Sequence, residues 1–196
     1  TFTGANGHGT FEIINDNGVY KYQYTLTENI NSGSTQGPNT MVDADKITLI
    51  ASDGDGNTGN VTIHVDIKDD APIVEFDGAY VNGVLQHSTS DDIYSISSGQ
   101  QITGVIDVVG GADGLASVRI GTTSIAMADI GTSSAPTTIP GGQYGDLKVW
   151  VDGGKVHYSY DAKHNTDLAS GGQDKFTVTA IDKDGDISTD VLTVNV

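Results

Sequence analysis

Apolar and polar residues alternate along most of this chain. Residues 19–24 read Val-Tyr-Lys-Tyr-Gln-Tyr, so aromatic residues occupy every second position. A period of two predicts β-strands that bury one face. The dipeptide Asn17-Gly18 precedes this run and predicts a tight hairpin. We find no helical period, apart from a single turn expected near residues 125–130.

The same alternation, bounded by Gly, Asn, Asp and Ser, predicts further strands along the chain. They are expected at residues 11–14, 47–52, 61–67, 73–76, 102–109, 116–120, 147–151, 156–160, 176–181 and 191–196. Short strands separated by regular turn signals are typical of sandwiches. The sequence therefore predicts an all-β fold, an antiparallel β-sandwich.

Two stretches of the chain occur twice. Residues 9–26 align without gaps to residues 145–162. Residues 45–57 align to residues 174–186, with seven of the 13 positions identical. Repeats of this kind predict related structural modules in one chain.

The two copies differ in completeness. The second copy is preceded by a stretch, residues 71–136, that has no counterpart in the first. We therefore expect a complete module at residues 71–196, preceded at residues 1–70 by the C-terminal half of another. A half sandwich exposes strand edges, so self-association through those edges, or cover by another module, is expected.

The chain is strongly acidic. Its 196 residues carry a formal net charge of −17, and 23 of the 26 acidic residues are Asp. Asp is a poor helix former but a common turn residue and metal ligand. Such a chain should repel nucleic acid and anionic membranes, and no apolar run is long enough for membrane insertion. Without Cys, thiolate metal sites and thiol catalysis are excluded, and a metal ion is an expected alternative staple.

A short acidic turn is repeated in the two copies. Residues 53–57 read Asp-Gly-Asp-Gly-Asn, and residues 182–186 read Asp-Lys-Asp-Gly-Asp. Ca²⁺ takes six to eight oxygen ligands, largely from carboxylates and carbonyls. The junction at residues 66–72, Asp-Ile-Lys-Asp-Asp-Ala-Pro, adds more carboxylates. Carboxylates brought together repel one another unless a cation is bound, so these patterns predict Ca²⁺ sites.

These features together resemble the tandem immunoglobulin-like or cadherin-like repeats of giant bacterial type I-secreted RTX adhesins. The features occur in order: a Gly-Ala-Asp-Gly turn at residues 111–114, a Gly-x-Tyr-x-Tyr strand, an Asp-x-Asp-Gly turn and an Asp-Asp-x-Pro junction. The junction also resembles the cadherin linker Asp-x-Asn-Asp-Asn-Ala-Pro. Lys68 and Asp70 replace two of its Asn residues, and a lysine cannot be a ligand.

The resemblance implies a non-enzymatic, extracellular role at the bacterial cell surface, in adhesion and biofilm formation. Such repeats act as Ca²⁺-stiffened extenders that hold a ligand-binding tip away from the cell, with neighbouring repeats as partners. The implied ligands at the joint are Asp53, Asp55, Asp69 and Asp70, with Asp113 from the facing end of the next module. The implied half-site at the other turn consists of Asp182, Asp184 and Asp186, completed by a linker beyond Val196.

The sequence gives weaker support to other functions. Counted from Asp53, the positions that an EF-hand gives to Gly and Glu hold Thr58 and His64. No Gly-x-Ser-x-Gly or His-Glu-x-x-His motif is present, and an enzyme is not expected. The alternative is a glycan- or protein-binding module of the adhesin, using loops 88–92 and 133–144. Trp150 and Tyr144 could stack on a sugar, although the strand that contains Trp150 must also contribute to the core.

Overall fold

The computed structural model describes residues 1–28, 30, 36–86, 92–112, 114–164 and 171–196. Strands account for 65% of the described residues. The one helical element in the described residues is a 3₁₀ turn at Met127–Asp129, inside the segment where the sequence predicts a turn. The chain divides into two compact units, Thr1–Asp70 and Ala71–Val196.

In the described part of the first unit, the strands form two antiparallel sheets. β1 (Phe2–Thr3), β2 (Gly9–Asp16) and β3 (Val19–Leu26) form one sheet, and β4 (Thr40–Ser52) and β5 (Thr58–Lys68) form a two-stranded ribbon. The β2–β3 turn uses Asn17 and Gly18 at φ values of 53° and 89°, as a type I′ hairpin requires. A small group of apolar side chains is buried: Phe11, Ile30, Ala44 and Ile67.

The described residues of the second unit form eleven strands. Their bounds are β6 (Ile73–Val81), β7 (Val84–Gln86), β8 (Ile93–Ser95), β9 (Gln101–Val109), β10 (Leu115–Ile120), β11 (Thr123–Ile125), β12 (Thr137–Ile139), β13 (Gly145–Asp152), β14 (Lys155–Ala162), β15 (Gln173–Asp182) and β16 (Ile187–Asn195). One sheet has the order β12-β13-β14-β9-β6-β7 and the other the order β11-β10-β15-β16-β8.

The core of the second unit lies between its two sheets. Ile102 and Tyr158 from the six-stranded sheet and Val178 and Leu192 from the five-stranded sheet are all fully buried, and they belong to one apolar cluster. Inward residues alternate with outward ones along strands such as β9 and β15, as the sequence indicates. The prediction of an all-β antiparallel sandwich is confirmed. One pairing is parallel, because β8 lies beside β16 in that direction.

A buried aspartate links strands in the second unit. The carboxylate of Asp174 accepts the main-chain amides of Gln143, Tyr144 and Gly145 at 2.8, 3.0 and 3.0 Å. The hydroxyl of Tyr160 donates to the same carboxylate at 2.7 Å. Gly145 is required beneath this tyrosine, because a Cβ there would lie 2.1 Å from Cζ of the ring. These contacts fix the start of β13 against β14 and β15.

The first unit repeats this arrangement with Asp45. Its carboxylate accepts the amides of Asn6 and Gly9 at 3.0 and 3.1 Å and the hydroxyl of Tyr24 at 3.1 Å. Burial and the hydrogen bond to Asp45 raise the pKa of Tyr24 to about 12. Burial acts to raise the pKa of Asp45, but the hydrogen bonds from the amides and from Tyr24 outweigh it and lower that pKa overall. The aligned Gly, Tyr and Asp of the two copies therefore have the same structural role.

In the described ranges of the chain, no helix has the length and apolar character needed to cross a membrane.

Candidate metal centre

The acidic turn of the second unit, residues 182–186, joins β15 to β16. The amide of Asp182 donates to the carbonyl of Asp186 at 3.1 Å, which closes the turn. The Oδ1 atom of Asp182 accepts the amides of Gly185 and Asp186 at 3.0 and 2.7 Å. Gly185 has a φ of 104°, a value that favours glycine. Asp182 and Gly185 therefore determine the shape of the turn.

The carboxylates of Asp182 and Asp186 each have a buried oxygen that meets no hydrogen-bond partner in the part of the chain that the structure describes. Asp182 is 1% exposed and Asp186 is 4% exposed. The Oδ2 atom of each is buried and meets no hydrogen-bond partner among the described residues. A buried carboxylate oxygen in this state is strongly unfavourable unless an opposite charge compensates it. A cation bound at the turn would supply that charge.

Asp184 lies between these two residues and is half-buried. One of its carboxylate oxygens lies within 4.8 Å of one from Asp186, close enough for both to contact a single ion. Carboxylate oxygens are hard ligands, which suit Ca²⁺ or Mg²⁺ better than the softer transition metals. Asp184 and Asp186 could therefore share an ion, and the buried Oδ2 of Asp182 is a further charged oxygen in the same turn. Carbonyls or water would complete the coordination.

The acidic turn of the first unit, residues 53–57, has the same backbone arrangement. The amide of Asp53 donates to the carbonyl of Asn57 at 3.0 Å. The Oδ1 atom of Asp53 accepts the amides of Asp55 and Asn57 at 3.0 and 2.8 Å. The side-chain amide of Asn57 donates to Oδ2 of Asp53 at 2.8 Å. The hydrogen bonds from Asn57 lower the pKa of the exposed Asp53.

The two turns differ in how their first aspartate is satisfied. In the first unit, the side-chain amide of Asn57 donates a hydrogen bond to Oδ2 of Asp53, so this oxygen has a partner. In the second unit, Asp186 occupies the position of Asn57 and has no proton donor to offer when ionised. The repeated Asp-x-Asp-Gly pattern predicts equivalent turns, and the aligned copies differ at this position, with Asn57 in the first and Asp186 in the second. The meaning of this difference depends on burial, which differs between the two turns.

The structure contradicts one shared site made of Asp53, Asp55, Asp69 and Asp70. Ser52 pairs with Thr58 at one end of the β4–β5 ribbon, and Thr40 pairs with Lys68 at the other. β5 has 11 residues, so these ends lie about 35 Å apart.

Asp69 and Asp70 follow β5 at the end of the ribbon that is remote from the acidic turn. The amide of Asp69 donates to the carbonyl of Asn39 at 2.8 Å. Asp69 is buried and Asp70 is half-buried. The site of four aspartates is therefore wrong as a single cluster, whereas a ligand role for each residue separately stays a prediction.

Asp113 lies outside the described residues. Its neighbour Gly114 accepts the main-chain amide of Lys183 through its carbonyl at 3.1 Å. Gly114, the last residue of the Gly-Ala-Asp-Gly motif, therefore lies beside the acidic turn of its own unit. A ligand role for Asp113 stays a prediction.

A completing linker beyond Val196 does not fit the strand geometry. β16 runs nine residues away from the acidic turn, which is about 30 Å. At its far end, Val196 exchanges main-chain hydrogen bonds with Gly172 at 2.8 and 2.9 Å. The start of β6 lies near the acidic turn, because the amide of Val74 donates to Oγ of Ser188 at 3.3 Å, and Ser188 follows the turn directly.

Trp150 faces outward from β13, between the core residue Val149 and the half-buried Val151. Its ring stacks on that of His157 in β14, with centroids 5.7 Å apart and an interplanar angle of 14°. The ring of Tyr144 packs closely over Gly172, since a Cβ there would lie 2.2 Å from the ring. Of the two loops proposed for ligand binding, residues 133–144 are described, whereas residues 88–91 of the other are not.

Comparison with known proteins adds no functional assignment, because no protein-family model and no curated protein matches this chain.

Proposed function

We propose that this chain is a non-enzymatic, Ca²⁺-binding β-sandwich segment that serves as an extender in a large bacterial surface adhesin. Ca²⁺ binding is supported by the buried Oδ2 atoms of Asp182 and Asp186, which have no hydrogen-bond partners among the described residues. The extender part is supported by the repeated modules and by the resemblance of their motifs to adhesin repeats. Neighbouring repeats of the same protein would be its partners, at the extracellular face of the cell.

A bound ion would act on the turn in two ways. It would compensate the charge of Asp182, Asp184 and Asp186, and it would hold the β15–β16 connection in one geometry. Because the ligands come together only in the folded unit, binding would stabilise that unit by mass action. A chain whose modules become rigid only where Ca²⁺ is abundant suits an extracellular extender.

Calorimetric titration of the EDTA-treated full chain tests this proposal. We expect saturable Ca²⁺ binding with a dissociation constant of about 10⁻⁴–10⁻³ M, the range of extracellular modules. The Asp186→Asn variant should lose this binding. The Asp152→Asn variant, which removes the same charge from an exposed hairpin, should keep it. No binding at millimolar Ca²⁺ would rule the proposal out.

A second candidate function is glycan binding by the outer face of β13 and β14. The stacked rings of Trp150 and His157 favour it, because a flat aromatic surface suits the apolar face of a sugar. A glycan array probed with the chain and with Trp150→Ala separates the two functions. A pure extender should give no signal in either form, whereas a glycan-binding module should lose its signal with the substitution.

A further inference from the structure

Asparagine followed directly by glycine occurs three times in this chain, at Asn6-Gly7, Asn17-Gly18 and Asn82-Gly83. The dipeptide is chemically labile, because glycine has no side chain to hinder attack of its main-chain nitrogen on the asparagine side chain. All three asparagines are exposed, so solvent reaches each of them. What separates the three sites is how firmly the fold holds the two groups that would react.

At the first site, both reacting groups are held. The side-chain amide of Asn6 donates to the carbonyl of Ala44 at 2.8 Å, and the main-chain amide of Gly7 donates to the carbonyl of Gly4 at 3.1 Å. The main-chain amide of Asn6 also donates to Asp45, a fully buried residue, at 3.0 Å. This turn is therefore fastened to the interior of the first unit.

The second site lies in the β2–β3 turn and is held by its sequence neighbours. The main-chain amide of Gly18 donates to Oδ1 of Asn15 at 2.8 Å, and the side-chain amide of Asn17 donates to Oδ1 of Asp16 at 3.2 Å. Eight residue pairs join the two strands behind the turn. Opening this turn therefore breaks side-chain hydrogen bonds and strains a long hairpin.

The third site lies in the β6–β7 turn and lacks these restraints. Asn82 and Gly83 have φ values of 50° and 80°, so the turn has the same type I′ geometry as the β2–β3 turn. In the described part of the chain, the side chain of Asn82 and the main-chain amide of Gly83 meet no hydrogen-bond partner. The main-chain amide of Asn82 donates to the carbonyl of Gln101 at 3.4 Å, which leaves the reacting groups unrestrained.

The strand behind the third turn is also weakly held. Three residue pairs join β7 to β6, and β7 is the end strand of its sheet in the described residues. Val84 and Leu85 are 64% and 43% exposed, so burial contributes little to holding them. Elements with few pairs and few buried contacts open locally at a small cost in free energy. Because the two hairpin turns share one geometry, the ease of opening decides which of them reacts.

We propose that Asn82 is a deamidation site of the folded protein, selected over Asn6 and Asn17 because its reacting groups are unrestrained. The main-chain nitrogen of Gly83 gives up its proton to a base in solution and forms a bond to Cγ of Asn82. The Cγ–Nδ2 bond breaks, and the side-chain nitrogen takes up a proton and leaves as ammonia. Water then opens the cyclic imide at either carbonyl, which leaves aspartate or isoaspartate at position 82. This inference is independent of metal binding.

The two products have different consequences for the hairpin. Both add a negative charge to the turn, and isoaspartate also adds a methylene group to the main chain. The length and type of a hairpin turn fix the register of its strands. The isoaspartate form should therefore lose the pairing of β7 with β6, which hydrogen exchange of the β7 amides would reveal.

Peptide mapping of the full chain by tandem mass spectrometry tests the proposal. The protein is incubated in mildly alkaline buffer, both folded and in concentrated urea, and conversion at the three asparagines is followed over time. The protection of each site is its rate in urea divided by its rate in the folded chain, a ratio that cancels the effect of neighbouring residues. Protection at Asn6 and at Asn17 should exceed that at Asn82 by roughly tenfold or more.

The variant Asn15→Ala provides the second arm. It removes the oxygen that accepts the Gly18 amide, and because Asn15 is exposed, the variant should keep its fold. Conversion at Asn17 should become severalfold faster, whereas conversion at Asn6 and Asn82 should stay the same and serves as the internal control. The proposal would be overturned by protection at Asn82 equal to or greater than that at Asn17, or by an unchanged rate at Asn17 in the variant.

Discussion

The Asp186→Asn substitution makes the acidic turn of the second unit resemble that of the first. In the first unit, the side-chain amide of Asn57 donates to Oδ2 of Asp53 at 2.8 Å. An asparagine at position 186 can donate in the same way to Oδ2 of Asp182, which is otherwise without a partner in the described residues. We therefore expect the variant to be more stable than the parent protein in EDTA.

The size of the effect follows from two contributions. A hydrogen bond to a charged group contributes about 1.5–3 kcal/mol. The carboxylate oxygens of Asp184 and Asp186 lie within 4.8 Å, and at an effective dielectric constant of about 20 the unscreened repulsion between two charges at that separation is about 3.5 kcal/mol. Asp184 is half-exposed, which screens part of the repulsion. A gain of roughly 2–4 kcal/mol in the free energy of unfolding of the metal-free second unit is the expected result.

Urea unfolding followed by tryptophan fluorescence measures this gain. Trp150 is the one tryptophan of the chain and lies in the second unit, so its fluorescence reports on that unit. In Ca²⁺ at about 100 times its dissociation constant, the parent protein should gain about 2.7 kcal/mol and the variant nothing. A variant that is less stable in EDTA, or that keeps its Ca²⁺ response, would refute the assignment of Asp186 as a ligand.

Three further predictions concern other parts of the chain. Asn57→Asp should give the first unit a Ca²⁺-dependent rise in its unfolding temperature and lower that temperature in EDTA, as seen by tyrosine NMR signals. The folded-state pKa of Asp45 is lowered, so Asp45 contributes fully to stability above its unfolded pKa of about 3.9, and this contribution is lost as the pH falls through the folded value. In Asp45→Asn, the stability of the first unit should therefore fall less steeply in this acidic range. Gly145→Ala should destabilise the second unit by about 1–3 kcal/mol in urea unfolding, because the new Cβ would overlap the Tyr160 ring, whereas Gly59→Ala, with open space at its Cβ, should have little effect.

Much of the fold follows from local patterns in the sequence. The two-residue period predicts the strands, and Asn17-Gly18 predicts the hairpin that the structure contains. These features depend on neighbouring residues alone. The parallel pairing of β8 with β16 depends instead on the path of the whole chain, so the alternation carries no information about it.

The candidate site shows the same division. The acidic residues of both turns are conspicuous in the sequence, but their grouping is not. Asp53 and Asp69 are close along the chain, yet a full-length strand separates them in space. The sequence patterns do not predict the buried hydrogen-bond network of Asp174, Tyr160 and Gly145. All three residues recur in the aligned copies, and this recurrence is the signal that could have indicated it.

The central claim is that the acidic turn of the second unit binds Ca²⁺, and thermal unfolding of the full chain tests it most directly. Trp150 fluorescence would be followed in EDTA, in Ca²⁺ and in Mg²⁺. At about 100 times the dissociation constant, Ca²⁺ should raise the unfolding temperature of the second unit by roughly 10 °C, and Mg²⁺, which requires a near-ideal octahedral site, should raise it less. An unfolding temperature that is the same in EDTA and in millimolar Ca²⁺ would contradict the account.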